Sequence, residues 1–300
     1  MLEELAPKWE ATRESALCER RGGARRRAVG AGRKQRLVFA DRLLATLVCL
    51  RLGLPHAALA ELFEVDRSTV SAAIREVRPL LAARGLAVPD RPGLRIRTLE
   101  DLFAYAGAEG VEIRMDGTEV QVRRPQVGRP GRKAFVSGKK KQNTIKTTTF
   151  SDHQGRTLFS GVTRPGRMHD QTAVRTEGIA EQFRLQPTVK AKVDSGYQGL
   201  AKEFPDQVSA PPKKPADGAC EGDKRAWRET RRRQSSQRIV VEHANAEYKQ
   251  WHPLQRYTGR REDYDQTHRA IAGLVSDRSA RRATRRTARI ELVLVRTTAC

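Results

Sequence analysis

The chain reads as an α/β protein with a small all-α domain in front of it, on three observations. From residue 37 to about 84 the apolar residues recur at helical spacing. After about residue 100, segments of period two alternate with helical ones. Two of the period-two segments run into an aspartate followed at once by a glycine-bearing turn. A length of 300 residues is enough for a sizeable core and two domains.

Composition narrows the function classes. Lys+Arg 58 against Asp+Glu 35 gives a formal net charge of +23. That excess suits a polyanion, with nucleic acid the commonest one and an anionic membrane surface the weaker alternative, and with the motifs below it makes double-stranded DNA the partner expected. No apolar run approaches the roughly 18 residues of a membrane span, so no membrane role is expected. The N-terminus lacks the charged-then-apolar order of a signal peptide. Cys18, Cys49, Cys220 and Cys300 form no CxxC pair and no metal-ligand spacing, and read as free thiols. A cytoplasmic, nucleoid-associated protein is the expectation.

Residues 1–36 read as a basic arm, a short helix and then ERRGGARRRAVGAGRKQR, whose glycines argue against a helix. Residues 37–99 read as the all-α domain. FADRLLATLVCLRLG carries Leu43, Leu44, Leu47, Val48 and Leu50 at core spacing and closes at Gly53. In LAELFEVDRSTVSAAIREV, a short helix opened by Pro55 leads through Glu64-Val65-Asp66 to a second helix that Asp66 caps. Ala58, Leu62, Val65, Val70 and Ile74 pack the two together, and Arg67, Ser68, Thr69, Ser71 and Arg75 face outward. This is the pattern of a helix-turn-helix, whose second helix reads base edges in the major groove. An ordinary helical hairpin has the same spacing. VPDRPGLRIRT (88–98) reads as a linker.

Residues 100–280 read as the α/β domain. After the helix LEDLFAYAG, Val111, Ile113 and Met115 alternate with polar residues, Asp116-Gly117 reads as a tight turn, and Val120 and Val122 as a return strand. A second hairpin turns at Asp152 to Gly155, and Asp170 is placed to cap a helix over 171–183. Val189, Ala191 and Val193 then alternate into Asp194. Both aspartates are thus expected at carboxyl ends of strands, where open α/β sheets place ligands. Residues 205–236, rich in Pro, Lys and Arg, read as a mobile basic insertion, and 281–300 as a basic tail.

QRIVVEHANAEYKQW (237–251) has no Gly or Pro. On a helix, Arg238, Glu242, Asn245 and Lys249 fall within a sector of about 60°, with Val240, Ala244, Tyr248 and Trp251 across from them. A solvated face with i,i+4 pairing has the same pattern. Asp116, Asp194 and Glu242 together are hard oxygen donors, suited to Mg²⁺ or Mn²⁺, and a pair of such ions can drive phosphodiester chemistry. Arg238 and Lys249 supply cations for phosphates. Glu247, roughly 140° around the helix from Glu242, is the rival third carboxylate.

MDGTEV, VDSGYQG and RIVVEHANAEYK resemble the three blocks of DDE transposases of the insertion-sequence four and five families, and PGRMHD resembles a further segment of them. Arg238, Glu242 and Lys249 match the Arg, Glu and Lys spacing of the third block; Ser235 stands where the fuller signature has Tyr, which points to the five-like branch. The resemblance covers about residues 35–275. It implies a ribonuclease H-like core, a mixed sheet flanked by helices, with Asp116, Asp194 and Glu242 as a triad for two divalent ions. It implies cut-and-paste transposition, with transposon ends and target DNA as partners and a homodimer on them, and gives Asp170 a structural role. It also marks a departure, because Asn245 and Tyr248 stand at positions that are bulky and apolar in relatives. A DNA-binding regulator or inactive remnant, and a metal-dependent endonuclease without strand transfer, are the alternatives.

Overall fold

The computed structural model describes residues 1–25, 28, 34–124 and 132–281, with the side chains of 233–238 left out. Most of the basic run after residue 25, Arg238's side chain and the tail expected at 281–300, past its first residue, therefore lie outside the described residues. The chain divides into two compact units, Met1–Arg84 with Gln250–Ile271, and Gly85–Lys249 with the residues from Ala272 on.

The first unit is helical: α1 (Leu2–Arg21), α2 (Phe39–Leu52), α3 (His56–Leu62) and α4 (Arg67–Ala82). α1 corrects the expected arm. Its Leu5 and Trp9 are buried, and Trp9 Nε1 donates to Glu76 at 2.9 Å. Arg42 donates to the same carboxylate at 3.0 Å and stacks over the Trp9 ring. A large aromatic with a satisfied N–H holds α1 in place, and the glycines only end it, at Gly22.

In the α3–α4 pair, Val70 and Ile74 are buried with Leu59 and Ala60, and Phe63 and Val65 pack against them. The expected Ala58 and Leu62 are instead exposed, Leu62 by 67%. Leu59 offers more apolar area than Ala58 and sets the phase of α3, and Phe63 covers from the turn what Leu62 was expected to cover. Leu44 in α2 is likewise exposed. Gly53 closes α2 and Asp66 precedes α4, but no side-chain capping bond forms at Asp66.

The second unit is a mixed sheet flanked by helices. The expected linker at 88–98 belongs to it, as a small antiparallel pair, β1 (Leu86–Ala87) and β2 (Arg95–Ile96). Ile96 is buried in the main core and Arg95 pairs with Asp277, so this stretch folds against its unit rather than spanning two. α5 (Leu99–Glu109) starts at Thr98, which exchanges hydrogen bonds with Asp101. The sheet strands are β3 (Ile113–Val122), β4 (Thr144–Ser151), β5 (Thr157–Ser160), β6 (Arg164–Pro165), β7 (Ala191–Val193) and β8 (Val208–Ser209). Their order is β5-β4-β3-β7-β8, with β6 also on β4. β4 and β5 run antiparallel to their neighbours, while β7 joins β3, and β8 joins β7, in parallel. Three consecutive antiparallel strands extended by parallel ones form the ribonuclease H-like α/β arrangement that was expected.

Between β6 and β7 lie α6 (Asp170–Thr176) and α7 (Ile179–Leu185). The single helix expected over 171–183 is broken at Gly178, whose φ of 75° ends one helix and starts the next. His169, not Asp170, is the N-cap. One face of the sheet packs against these helices: Phe103 of α5 meets Phe183 of α7 edge to face at 4.9 Å, among Ile113, Met115, Ala191 and Val193.

After α8 (Gln198–Glu203) and β8, the expected mobile insertion is only half a loop. From Glu221 it is the first part of α9 (Glu221–Lys249), 29 residues long. Charged residues dominate the stretch from Glu221 to Arg232, and several pair at helical spacing, as Lys224 and Arg228 do with Glu221. That spacing supports a solvated helix. Short helix α10 (His252–Gln255) follows, and α11 (Tyr264–Ala280) takes the place of the helix expected at 262–280.

Candidate active site

The geometry starts from register. In the parallel pair β3–β7, Met115 lies opposite Val193, so Asp116 and Asp194 are the next residues along neighbouring strands. Met115 and Val193 face the core. Because alternate residues point to opposite faces, both aspartates face the other way. Each is half-buried.

Asp116 corrects one expectation. Asp116-Gly117 is no turn: β3 runs straight through it, with Asp116 opposite Thr149 and Gly117 opposite Thr148 on β4. An Asp-Gly pair makes a hairpin only when the flanking segments pair with each other. Here a separate eight-residue strand satisfies that backbone. The site therefore lies midway along β3 and at the carboxyl end of β7.

Each aspartate is fixed by the amide that follows it. Asp116 Oδ1 accepts from Gly117 N at 2.9 Å, and Asp194 Oδ1 accepts from Ser195 N at 2.6 Å. Gly196 serves a close approach, and Gly117 lies at ordinary contact distance from Asp170. A Cβ on Gly196 would lie 2.5 Å from Asp170 Oδ2, and one on Gly117 3.6 Å from Asp170 Oδ1. Asp170 thus sits beside the residues that follow both aspartates, where its charge is met by Lys146 Nζ at 2.8 Å. Lys146 also reaches Glu119 at 3.5 Å. Tyr197 is buried there, its phenol pushed up by burial first and by Asp170's charge second.

α9 brings the third group. It buries Val241, Ala244, Glu247 and Tyr248; Ala244 and Tyr248 belong to the apolar sector expected, while Val241 takes the place of Val240, which is only half-buried, and Trp251 lies past the helix end. Glu242 and Lys249 are exposed, and Asn245 is half-buried. Asp194 and Glu242 line one cavity of about 380 Å³. Its other wall comes from the loop before α9 and the first turns of that helix: Lys213, Lys214, Trp227 and Arg231. Arg231 stacks over the Trp227 ring at 5.0 Å, and Trp227 Nε1 donates to Pro212 O at 3.2 Å. Asp116 is reached from the same helix by Asn245.

The donor set is all carboxylate oxygen, which fits a hard divalent ion. The fit is an open one. Asp116 and Asp194 follow paired residues of neighbouring strands and Glu242 lines the same cavity as Asp194, but among the described residues no three acidic, His or Cys side chains are gathered at metal-binding distance.

The helix-turn-helix positions stand at the start of α4. Arg67, Ser68 and Arg75 are exposed. Thr69 and Ser71 are half-buried, and Ser71 Oγ donates to Arg67 O at 3.0 Å and lies 2.8 Å from His56 Nδ1. Ser71 is therefore part of the α3–α4 packing more than of an outer face.

Sequence reading missed Lys146, Thr149, Tyr197 and the cavity wall of Lys213, Lys214, Trp227 and Arg231. A lone tryptophan among arginines was the available signal for the wall. For Lys146 and Thr149, two positions in a threonine-rich strand, there was none.

Comparisons with known proteins agree with this layout. Residues 115–276, more than half of the chain, match the model of DDE superfamily endonucleases. Residues 35–87 match the helix-turn-helix of DDE superfamily endonucleases. The chain is 26% identical over 247 residues to a probable transposase for insertion sequence element IS702 from Microchaete diplosiphon, covering 81% of this chain and 82% of that one. Among solved structures, the Mos1 transposase paired-end complex with left transposon end is 11% identical, at a TM-score of 0.20, over 88% of this chain and 87% of that one. The Mos1 strand transfer complex is 13% identical, at 0.21, over 86% and 84%. Superpositions that loose assign no residue. The two family matches, each over its own stretch, do suffice: the chain belongs to the DDE superfamily endonucleases, with the helix-turn-helix of that superfamily in its N-terminal part.

Proposed function

We propose that the protein is a transposase that binds the ends of its element through α3–α4 and cuts them in the α/β unit by cut-and-paste chemistry. Asp116, Asp194 and Glu242 hold the divalent ions, Mg²⁺ or Mn²⁺, two of them. The observation that carries this reading is the adjacency of Asp116 and Asp194 on parallel strands, with Glu242 on the rim of the cavity that Asp194 lines. When bound, such ions polarise a phosphoryl oxygen and make water or a 3′-hydroxyl a better nucleophile.

The chain's own residues do the remainder. Lys213, Lys214 and Arg231 hold phosphates of the strand entering the cavity, and Trp227 offers a flat face to a base. Arg238 and Lys249 add cations along α9. Arg67, Ser68 and Thr69, with Arg75 further along α4, take up the major groove, and Ser71 supports them through His56. Two ends must be brought together for strand transfer, which calls for two copies of the chain, a homodimer on DNA.

The test is a supercoiled plasmid carrying the element's own ends, incubated with the protein and Mn²⁺ or Mg²⁺. The wild type should nick at the ends and join the released 3′ ends to new DNA. Asp194→Ala should nick at a rate at least about a thousandfold lower, roughly 4 kcal/mol of barrier, while shifting end DNA in a gel as before. Nicking by Asp194→Ala at the wild-type rate would remove the reading. Nicking without joined products would leave an endonuclease, and binding without nicking a regulator.

A further inference from the structure

We infer that Asn245 is the positioning residue of Asp116, aiming its carboxylate and tying β3 to the helix that carries Glu242. This rests on the reading that Asp116 holds a divalent ion.

The contacts join Asn245, Thr149 and Asp116. Asn245 Nδ2 donates to Asp116 Oδ2 at 2.6 Å. Asn245 Oδ1 lies 3.3 Å from Thr149 Oγ1, which lies 3.2 Å from Asp116 O, so one hydroxyl serves two acceptors. Thr149 is the residue opposite Asp116 in the β3–β4 ladder. With Oδ1 already accepting from Gly117 N, both oxygens of Asp116 are held by donors.

An amide meets both demands with one side chain. Its oxygen must face the hydroxyl and its NH₂ the carboxylate. A carboxylate at 245 would set two like charges side by side, and a leucine would leave Asp116 Oδ2 and Thr149 without this partner. Val241, Ala244 and Tyr248, all buried, fix the helix that presents the amide. Glu242 and Asn245 are three residues apart and so lie on one side of α9. The helix therefore sets the aim of one carboxylate while it carries another.

The experiment is direct Mn²⁺ binding by the full chain without DNA, read as free Mn²⁺ by electron paramagnetic resonance, alongside nicking against Mn²⁺ concentration. Asn245→Leu should weaken Mn²⁺ binding about tenfold, the lower end for loss of an outer partner of a metal ligand. Half-saturation in nicking should rise with it, and the rate at saturating Mn²⁺ should fall less. Thr149→Val, which frees the amide to turn, should shift binding in the same direction. In an Asp116→Ala background Asn245→Leu should add nothing. Wild-type Mn²⁺ affinity in folded Asn245→Leu, or in Thr149→Val if the former does not fold, would overturn the role, provided Asp116→Ala is weakened. An unweakened Asp116→Ala would instead overturn the metal reading beneath it.

Discussion

Burial lifts the Glu177 carboxyl to about 7 from an ordinary 4.5, against the pull of Arg164 at 3.7 Å. Its side chain is only 3% exposed. The folded state therefore holds this proton more tightly than the unfolded one. Between pH 4.5 and about 7 the unfolded chain ionises first, so stability falls as pH rises through that window. Glu177→Gln should remove the penalty. Compared by thermal melts, it should be more stable than the wild type at pH 8, by up to about 3 kcal/mol less the pairing with Arg164 that it gives up. At pH 4.5 the difference should shrink towards zero. A gain at pH 4.5 as large as at pH 8 would show that burial of this charge is not the cause. At this scale sequence reading had mixed success. The strands that lead into Asp116 and Asp194 were legible because period-two alternation names the face each residue takes. The role of Asn245 was not, because its partner Asp116 is 129 positions away and nothing local marks the pair. Glu177 was not either, since a glutamate next to a glycine reads as solvated until the packing around it is known.

Among elements, α4 and α9 carry the proposed function, and they were legible to different degrees. α4 was found by its position after a short turn, but its packing partner α3 was read one residue out of phase, because Ala58 and Leu59 are both apolar and only packing chooses between them. α9 was read as a loop followed by a helix, because the triple Arg231-Arg232-Arg233 and the prolines upstream suggested an insertion; its first half instead forms a cavity wall. For α4 the expectation is quantitative. Arg67→Ala and Arg75→Ala should each weaken binding to end DNA. Each phosphate that a variant no longer neutralises should make the slope of log affinity against log salt shallower by about 1. Binding and salt slope unchanged in both variants, measured by fluorescence anisotropy across salt concentrations, would take α4 out of the DNA interface.

For the whole molecule, the charge of +23 and the α/β class were legible from composition and period, while the chain's division was not. The stretch 88–98 looked like a linker by its prolines and glycine, yet it folds into the second unit, and α1 looked like the front of an arm, yet it is packed by Leu5 and Trp9. Proline and glycine mark turns, and turns occur inside units as well as between them. The central claim concerns three carboxylates drawn from three distant parts of the chain, with Glu242 and not Glu247 as the third. Glu247 is buried on the packed face of α9 and Glu242 is exposed on the cavity rim. The measurement is Mn²⁺-dependent nicking by Glu242→Gln and Glu247→Gln, side by side. A fall in nicking of at least about a hundredfold, roughly 2.7 kcal/mol, in Glu242→Gln, with Glu247→Gln still cutting, is the expected result. Full cutting by Glu242→Gln, with the fall in Glu247→Gln instead, would contradict it.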